Sequence, residues 1–392
     1  MIVLRPDYYE QFTCIASACP DSCCIGWKIE VDQLSFKKYR QVKGEFGKYL
    51  NSHVDKERKD STYKSYASIC LDEQNRCSFL DSNNLCEIYK NLGEKYLCNT
   101  CKQYPRYIYR FDDRYEITLT ISCPEIARLI IEHKEPITFT ATEVEEAPYK
   151  VENMMDNRAL HDILWDVREL LIDIAQNRNL PTWKRMVFIK QAIGKVLQSI
   201  EDESYSIQTL EVLRAYTENE KSAQIIDKAG RDRIGKRELI KDILEYRKNL
   251  GIQNELFTRQ VDMYLKFFED ITESNEELTA LEDEFETYMQ TYDYIMENYA
   301  VYYLFANVMT TLWTLEIQKE IDLLIINYVL IKYFLFIVWK NKGKTLTLQD
   351  FIQVIYSFSR GMEHNFDYKD GIYEVFQKSN LVQMANLVEL LA

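Results

Sequence analysis

Apolar positions recur every three to four residues along most of the chain beyond residue 150. Leu160, Ile163, Leu164, Val167, Leu170, Leu171 and Ile174 share one face of a helix. After Pro181 the set Met186, Ile189, Ile193, Val196, Leu197 and Ile200 does the same, with the proline placed to start the helix. The period continues through Leu210–Leu250, Leu256–Phe285 and Tyr288–Trp313, so this half is expected to be an α-helical bundle. One stretch, Ile321–Trp339, is almost wholly apolar but carries Asp322, Asn327 and Lys332. A charge at the centre of a bilayer costs about 2.5–3.5 kcal/mol, so a buried core helix fits better than a membrane span. Peripheral membrane association stays open.

The first ~125 residues follow no such period. Ile25–Asp32 alternates as a short strand, and Asp32 is placed to cap a helix over 33–39. The Asp/Ser/Asn-rich stretch 76–85 is turn chemistry, 85–97 reads as a helix delivering Cys98 and Cys101, and Arg114–Ser122 reads as a strand ending at Cys123. The fold class is therefore mainly α: a small cysteine-rich metal-binding module with little β over 1–135, a linker over 136–150 and an α-helical domain over 151–392. Pro136 and Pro148 flank the Thr/Glu-rich linker, and no internal repeat stands out.

Composition narrows the function classes. The 28 Tyr and 18 Phe point to a large aromatic core. A net charge of -14 and the lack of a basic stripe argue against nucleic acid as the main partner. Between Phe267 and Gln290 lie nine acidic residues and no Lys or Arg. Such a face can attract a lysine-bearing protein, although a solvated helix face is the simpler reading. No secretory signal is visible at the start of the chain, so a cytoplasmic, reducing environment is expected. Cysteines there serve as metal ligands or catalytic groups more often than as disulfides.

All ten cysteines lie between Cys14 and Cys123. A role as small core residues gives no reason for that clustering. They read Cys14-x4-Cys19-Pro20-x2-Cys23-Cys24, then Cys70, Cys77, Cys86, Cys98-x2-Cys101 and Cys123-Pro124. Zinc sites usually draw on two close pairs, and only Cys98/Cys101 has that spacing. An iron–sulfur cluster tolerates irregular spacing because its ligands reach different irons, so it is favoured, with zinc the alternative. Cys98 and Cys101 also have the spacing of a redox pair.

Taken in order, Cys14-x4-Cys19-x3-Cys23-Cys24-x-Gly26-Trp27, Cys77-Ser78-Phe79-Leu80, Leu85-Cys86-x-Ile88-Tyr89, Cys101-x2-Tyr104-Pro105-Arg106 and Ser122-Cys123-Pro124-Glu125 resemble the flagellin lysine-N-methylase family. The cysteine-rich half of that family is related to zinc- or iron-chelating domains. The resemblance extends to Tyr356-x2-Ser359-Arg360-x2-Glu363-His364. It implies a protein lysine methyltransferase that uses S-adenosylmethionine and needs an iron–sulfur cluster, expected as 4Fe-4S. Its substrate would be surface lysines of flagellin. It also implies a ligand pool of Cys14, Cys19, Cys23, Cys24, Cys77, Cys86, Cys101 and Cys123, leaving Cys70 and Cys98 as extras. No G-x-G occurs, and Gly26 stands where the radical S-adenosylmethionine spacing would need a cysteine, so the cofactor site is unconventional. Tyr104, Tyr107, Tyr109 and Tyr115 are candidates for a methyl-donor channel or for packing. Arg106 is a candidate for a cofactor carboxylate or a structural pair, and His364 for catalysis. A non-catalytic metal-binding scaffold is the rival reading, and self-association is left open.

Overall fold

The apolar stripes beyond residue 150 form helices whose starts are set by local chemistry. Asn157 accepts from the Leu160 amide at the head of Arg158–Ala175, and Pro181 precedes Thr182–Glu201. Full capping boxes open Asn275–Met289 (Ser274 with Glu277) and Leu348–Phe358 (Thr347 with Asp350). Asp293–Asn307 and Ile317–Asn341 complete the centre of the bundle. The computed structural model describes residues 1–56, 62–147, 149, 151–217, 232–251, 255–363, 366–379 and 384–391. The chain is mainly helical, with its sheets confined to the N-terminal region.

Ile317–Asn341 is long and apolar enough to cross a membrane, yet 89% of its most apolar window is buried inside the protein. Its charges are paired internally, Asp322 with Lys190 and Lys332 with Glu286. It is the core helix the sequence suggests. The acidic stretch also turns to internal partners: Glu273 pairs with Lys340, Asp283 with Arg233, Glu284 with Lys344 and Glu286 with Lys332. Those carboxylates brace neighbouring helices, which leaves a weaker case for a substrate-attracting face.

Two small sheets lie before residue 150. In the first, with strand order β5-β6-β1-β7, β5 (Arg106–Phe111) and β6 (Arg114–Leu119) form a hairpin. β1 (Ile2–Pro6) runs parallel to β6, and β7 (Phe139–Glu143) runs antiparallel to β1. β7 occupies the stretch expected as a linker. Four of its five residues are exposed, so its backbone pairing with β1 holds it in place and leaves no apolar alternation to read. The second sheet is β2-β4-β3, built from Glu30–Val31, Ala67–Ile69 and Val54–Lys56. The strand expected over 25–32 thus contracts to two residues. Asp32 caps Gln33–Gln41 by accepting from the Ser35 amide. The helix expected over 85–97 stops at Gly93, whose φ of 80° begins a separate turn at Glu94–Tyr96.

The buried apolar residues fall into one large core and two small ones. Ile29, Val31, Tyr39, Leu50, Phe79 and Ile88 belong to a small core that also holds the Cys77 and Cys98 thiols. The large core includes Tyr8 and Phe111 and takes in the chain from Leu119 onward, where the helix Pro124–Glu132 packs on Leu348–Phe358 and Asp293–Asn307. Residues 119–135, grouped by sequence with the cysteine-rich module, therefore pack into the bundle. A buried pair fastens this seam: Arg168 grips both oxygens of Glu116 on β6 at 2.6 and 2.9 Å.

Candidate metal-binding thiol site

The thiols are positioned by a short repeated turn that was not apparent from spacing alone. Leu71-Asp72-x2-Asn75-x-Cys77 and Leu80-Asp81-x2-Asn84-x-Cys86 are the same pattern nine residues apart. Asp72 accepts from the amides of Gln74 and Arg76 at 2.8 and 2.9 Å, and Asp81 accepts from those of Asn83 and Leu85 at 2.8 and 2.9 Å. Asn75 and Asn84 both sit in the left-handed region at φ 57°, which asparagine tolerates. Each turn closes by pairing its leucine with its cysteine. Cys77 and Cys86 are thus delivered by equivalent local structures into one small core.

Three further thiols meet them there. Cys98 is fully buried, and Cys101 and Cys24 pack against the same core. The Cys77 amide donates to the Cys24 carbonyl at 2.8 Å, stitching the first cysteine loop to the repeated turn. Cys98 and Cys101 share a hydrogen bond that lowers the Cys98 pKa and raises that of Cys101. Burial, aided by Cys86, Cys98 and Cys23, pushes the Cys77 thiol up to about 12, although the Phe79 amide donates to its sulfur at 3.4 Å. Cys98, set aside as an extra by the family resemblance, sits among the candidate ligands. Its CxxC spacing with Cys101 was the signal for it. Cys70 turns instead to Asp55, its sulfur 3.4 Å from Oδ2.

A second group lies where the cysteine loop meets the bundle. Burial pushes the Cys123 thiol up to about 11, with Cys19 and Cys23 adding to the effect. Cys23 is raised first by its hydrogen bond with Cys24 and then by burial. Arg360, only 12% exposed, pairs with Asp21 at 2.7 Å and donates to the carbonyls of Ser22 and Asp21 at 3.2 and 3.3 Å. Tyr104 lies beside it, its hydroxyl 3.4 Å from Ser122 Oγ and its pKa raised by burial. The half-exposed Trp27 ring is 6.3 Å from Tyr104, and its indole N–H donates to the Cys23 carbonyl at 2.6 Å. Neither Arg360 nor Trp27 was assigned a role by sequence: Arg360 reaches the loop from a distant element, whereas Trp27 acts on a carbonyl four residues before it.

Other candidates fall elsewhere. Cys14 is exposed. Arg106 donates to the Tyr9 hydroxyl at 3.1 Å and lies over the Tyr9 and Phe12 rings, a packing role. Tyr115 is buried in the small core of the first sheet, and Tyr107 is exposed. His364 lies outside the described residues. Among the described residues, no three His, Cys, Asp or Glu side chains stand close enough together to hold a metal ion. By chemistry alone the thiols suit a thiophilic group: they are soft donors from separate loops, set against an apolar core, with the Phe79 amide aimed at Cys77 sulfur.

Residues 168–390 match the model of the FliB lysine N-methylase C-terminal domain, more than half of the chain. The chain belongs to the FliB lysine N-methylase family. Arg360 lies within the segment matched to the family. The Lysine-N-methylases of Salmonella typhimurium strain LT2 and Salmonella choleraesuis strain SC-B67 are each 32% identical to it over 131 residues, 33% of this chain and 32% of theirs. The Flagellar biosynthetic protein FliU of Salmonella muenchen is 31% identical over 131 residues, 76% of its length. The chain thus aligns with about a third of the length of the two Lysine-N-methylases. No solved structure matches it.

Proposed function

We propose that this protein is an S-adenosylmethionine-dependent protein lysine N-methyltransferase, that its thiols hold an iron–sulfur cluster needed for the reaction, and that its substrate is surface lysine on flagellin. The observation that carries the reading is the grip of Arg360 on the Cys19–Cys24 loop. Through it, the half of the chain that matches the methylase model is joined to the loop that carries Cys19, Cys23 and Cys24.

Methylation needs a neutral lysine amine, so the target ammonium must first lose its proton, and a desolvated site favours that. The amine nitrogen then attacks the donor's methyl carbon as the carbon–sulfur bond breaks, and the proton passes to solvent. Trp27 and Tyr104 offer ring faces to a cationic donor and to the lysine stem. Tyr104 keeps its proton at neutral pH because burial raises its pKa, so it positions by hydrogen bonding and does not act as the base. A cluster held by thiols of the cysteine-rich region would supply a Lewis-acidic iron to help bind the donor. Arg360 holds the loop carrying Cys19 and Cys23 against the bundle.

The test is anaerobic purification followed by iron, sulfide and zinc analysis, then incubation with flagellin and isotopically labelled S-adenosylmethionine. Iron and sulfide in the protein, and labelled methyl-lysine in flagellin by mass spectrometry, are expected. A colourless zinc protein that methylates nothing would sink the proposal in favour of a metal-stabilised scaffold.

A further inference from the structure

Arg360 reaches the cysteine loop from an irregular stretch of backbone. The helix Leu348–Phe358 runs on into a π turn over Ser359–Glu363, so Arg360 is carried by the wider turn. A π turn holds one more residue than an α turn, which swings the side chains it presents by up to about 100° from an α-helical course. Two other helices meet that turn from inside the bundle. From Arg233–Asn249, Arg247 donates its Nε–H to the Gly361 carbonyl at 2.9 Å and an Nη1–H to the Gly251 carbonyl at 2.7 Å. From Glu255–Glu269, the buried Phe257 ring lies where a Cβ on Gly361 would have to stand. Met362, next in the turn, is wholly buried.

Arg247 is only 5% exposed, and among the described residues no carboxylate pairs with it. The rings of Phe257 and Tyr368, 5.8 and 5.7 Å from its guanidinium carbon, stand where a counter-ion would. Burying an arginine without a carboxylate is costly, and the stability of the bundle alone gives no reason to bear that cost. We propose that Arg247 is a positioning residue: by holding the Gly361 carbonyl it fixes the π turn that aims Arg360 at Asp21 and Ser22, and so keeps the Cys19–Cys24 loop against the bundle. Gly361 serves the same end, because a residue without a side chain lets Phe257 close on the turn. The chain of contacts runs from two helices of the methylase-matched half, through one turn, to the thiol loop. The inference goes beyond the methylase reading, and only its consequence for methylation rests on that reading.

The experiment is hydrogen exchange in the full chain, purified without oxygen, read at the amides of Cys19, Gly26 and Cys77, which donate to the Ala16, Asn75 and Cys24 carbonyls. Wild type, Arg247→Gln, Arg360→Gln and the double variant form a cycle, with the amides of Arg158–Ala175 reporting whether the bundle is folded. Arg247→Gln is expected to speed exchange in the loop about ten- to a hundredfold and to leave Arg158–Ala175 protected. In the Arg360→Gln background it is expected to add nothing, because its effect passes through Arg360. Gly361→Ala is expected to give the same pattern. The same further loss from Arg247→Gln in both backgrounds would show a general structural role and overturn the proposal, as would an undisturbed loop in folded Arg247→Gln. Should Arg247→Gln not fold, Arg247→Lys, which keeps the charge but loses the Nε donor, decides by the same cycle. Coupling between the two arginines in a protein that methylates no flagellin lysine would leave this inference standing and remove the methylase reading.

Discussion

The small cysteine-bearing core and the helical bundle are stabilised by different means. In the bundle, a 25-residue helix lies buried among others, and the interior charges of the neighbouring helices are matched: Arg185 bonds to Glu297 at 2.7 Å and to Asp293 at 3.0 Å, and Arg178 bonds to the same Glu297. Apolar burial there is extensive enough to carry such pairs. Around the thiols, by contrast, strands of two and three residues are too short to stand on pairing alone. Order in that region comes from Asp-centred turns, and several of its interior side chains are thiols. If the thiols hold a cluster as proposed, the order of this region is tied to that group, whereas that of the bundle is not.

The largest expected effect follows directly. Stripping metal with a chelator should collapse amide protection across residues 62–103 and leave Arg158–Ala175 and Ile317–Asn341 protected, read by hydrogen exchange. Equal loss in both regions would erase the contrast. Next, Arg168→Ala should destabilise the protein by about 3–5 kcal/mol in denaturant unfolding, because it leaves the Glu116 carboxylate buried on β6 without its partner. It should also loosen the seam between sheet and bundle.

Lys236 sharpens the comparison in the opposite direction. It lines a cavity of about 20 Å³ with Arg233, Glu282, Glu286, Tyr328 and Lys332. Burial, with Arg233 adding, lowers its pKa to about 7. Between pH 7 and the unfolded lysine value near ~10.4, the unfolded chain binds more protons, so this group's contribution to stability rises with pH across that window. Lys236→Met should therefore stabilise by about 1–4 kcal/mol below pH 7, with the gain fading towards pH 10. A gain that grows with pH would show the charge to be better accommodated than the burial implies. The smallest effect is expected at the repeated turns. Asp72→Ala and Asp81→Ala should each cost about 1–2 kcal/mol, the second slightly more because Asp81 also pairs with Lys90.

Much of the bundle was legible because a period of 3.6 residues survives every tertiary detail. The stripes at 160–174 and 186–200 are helices, and Asp322 and Lys332 marked Ile317–Asn341 as a core helix. The sheet was less legible. β7 gives no alternating pattern, since its partner strand holds it through backbone bonds. The duplicated turn lay in plain view as Asp-x2-Asn-x-Cys, yet it is too short to stand out as a repeat until its hydrogen bonds are seen.

The sequence alone determined the clustering of cysteines, the helical half, and the family to which both belong, because these rest on residue type, period and order along the chain. Only the tertiary structure decided which thiols are neighbours. Cys98 joins Cys77 and Cys86 through a shared apolar core, and the loop that carries Cys19, Cys23 and Cys24 is held by Arg360 from more than 300 residues away. Proximity of that kind is set by packing between distant segments, which spacing along the chain does not encode.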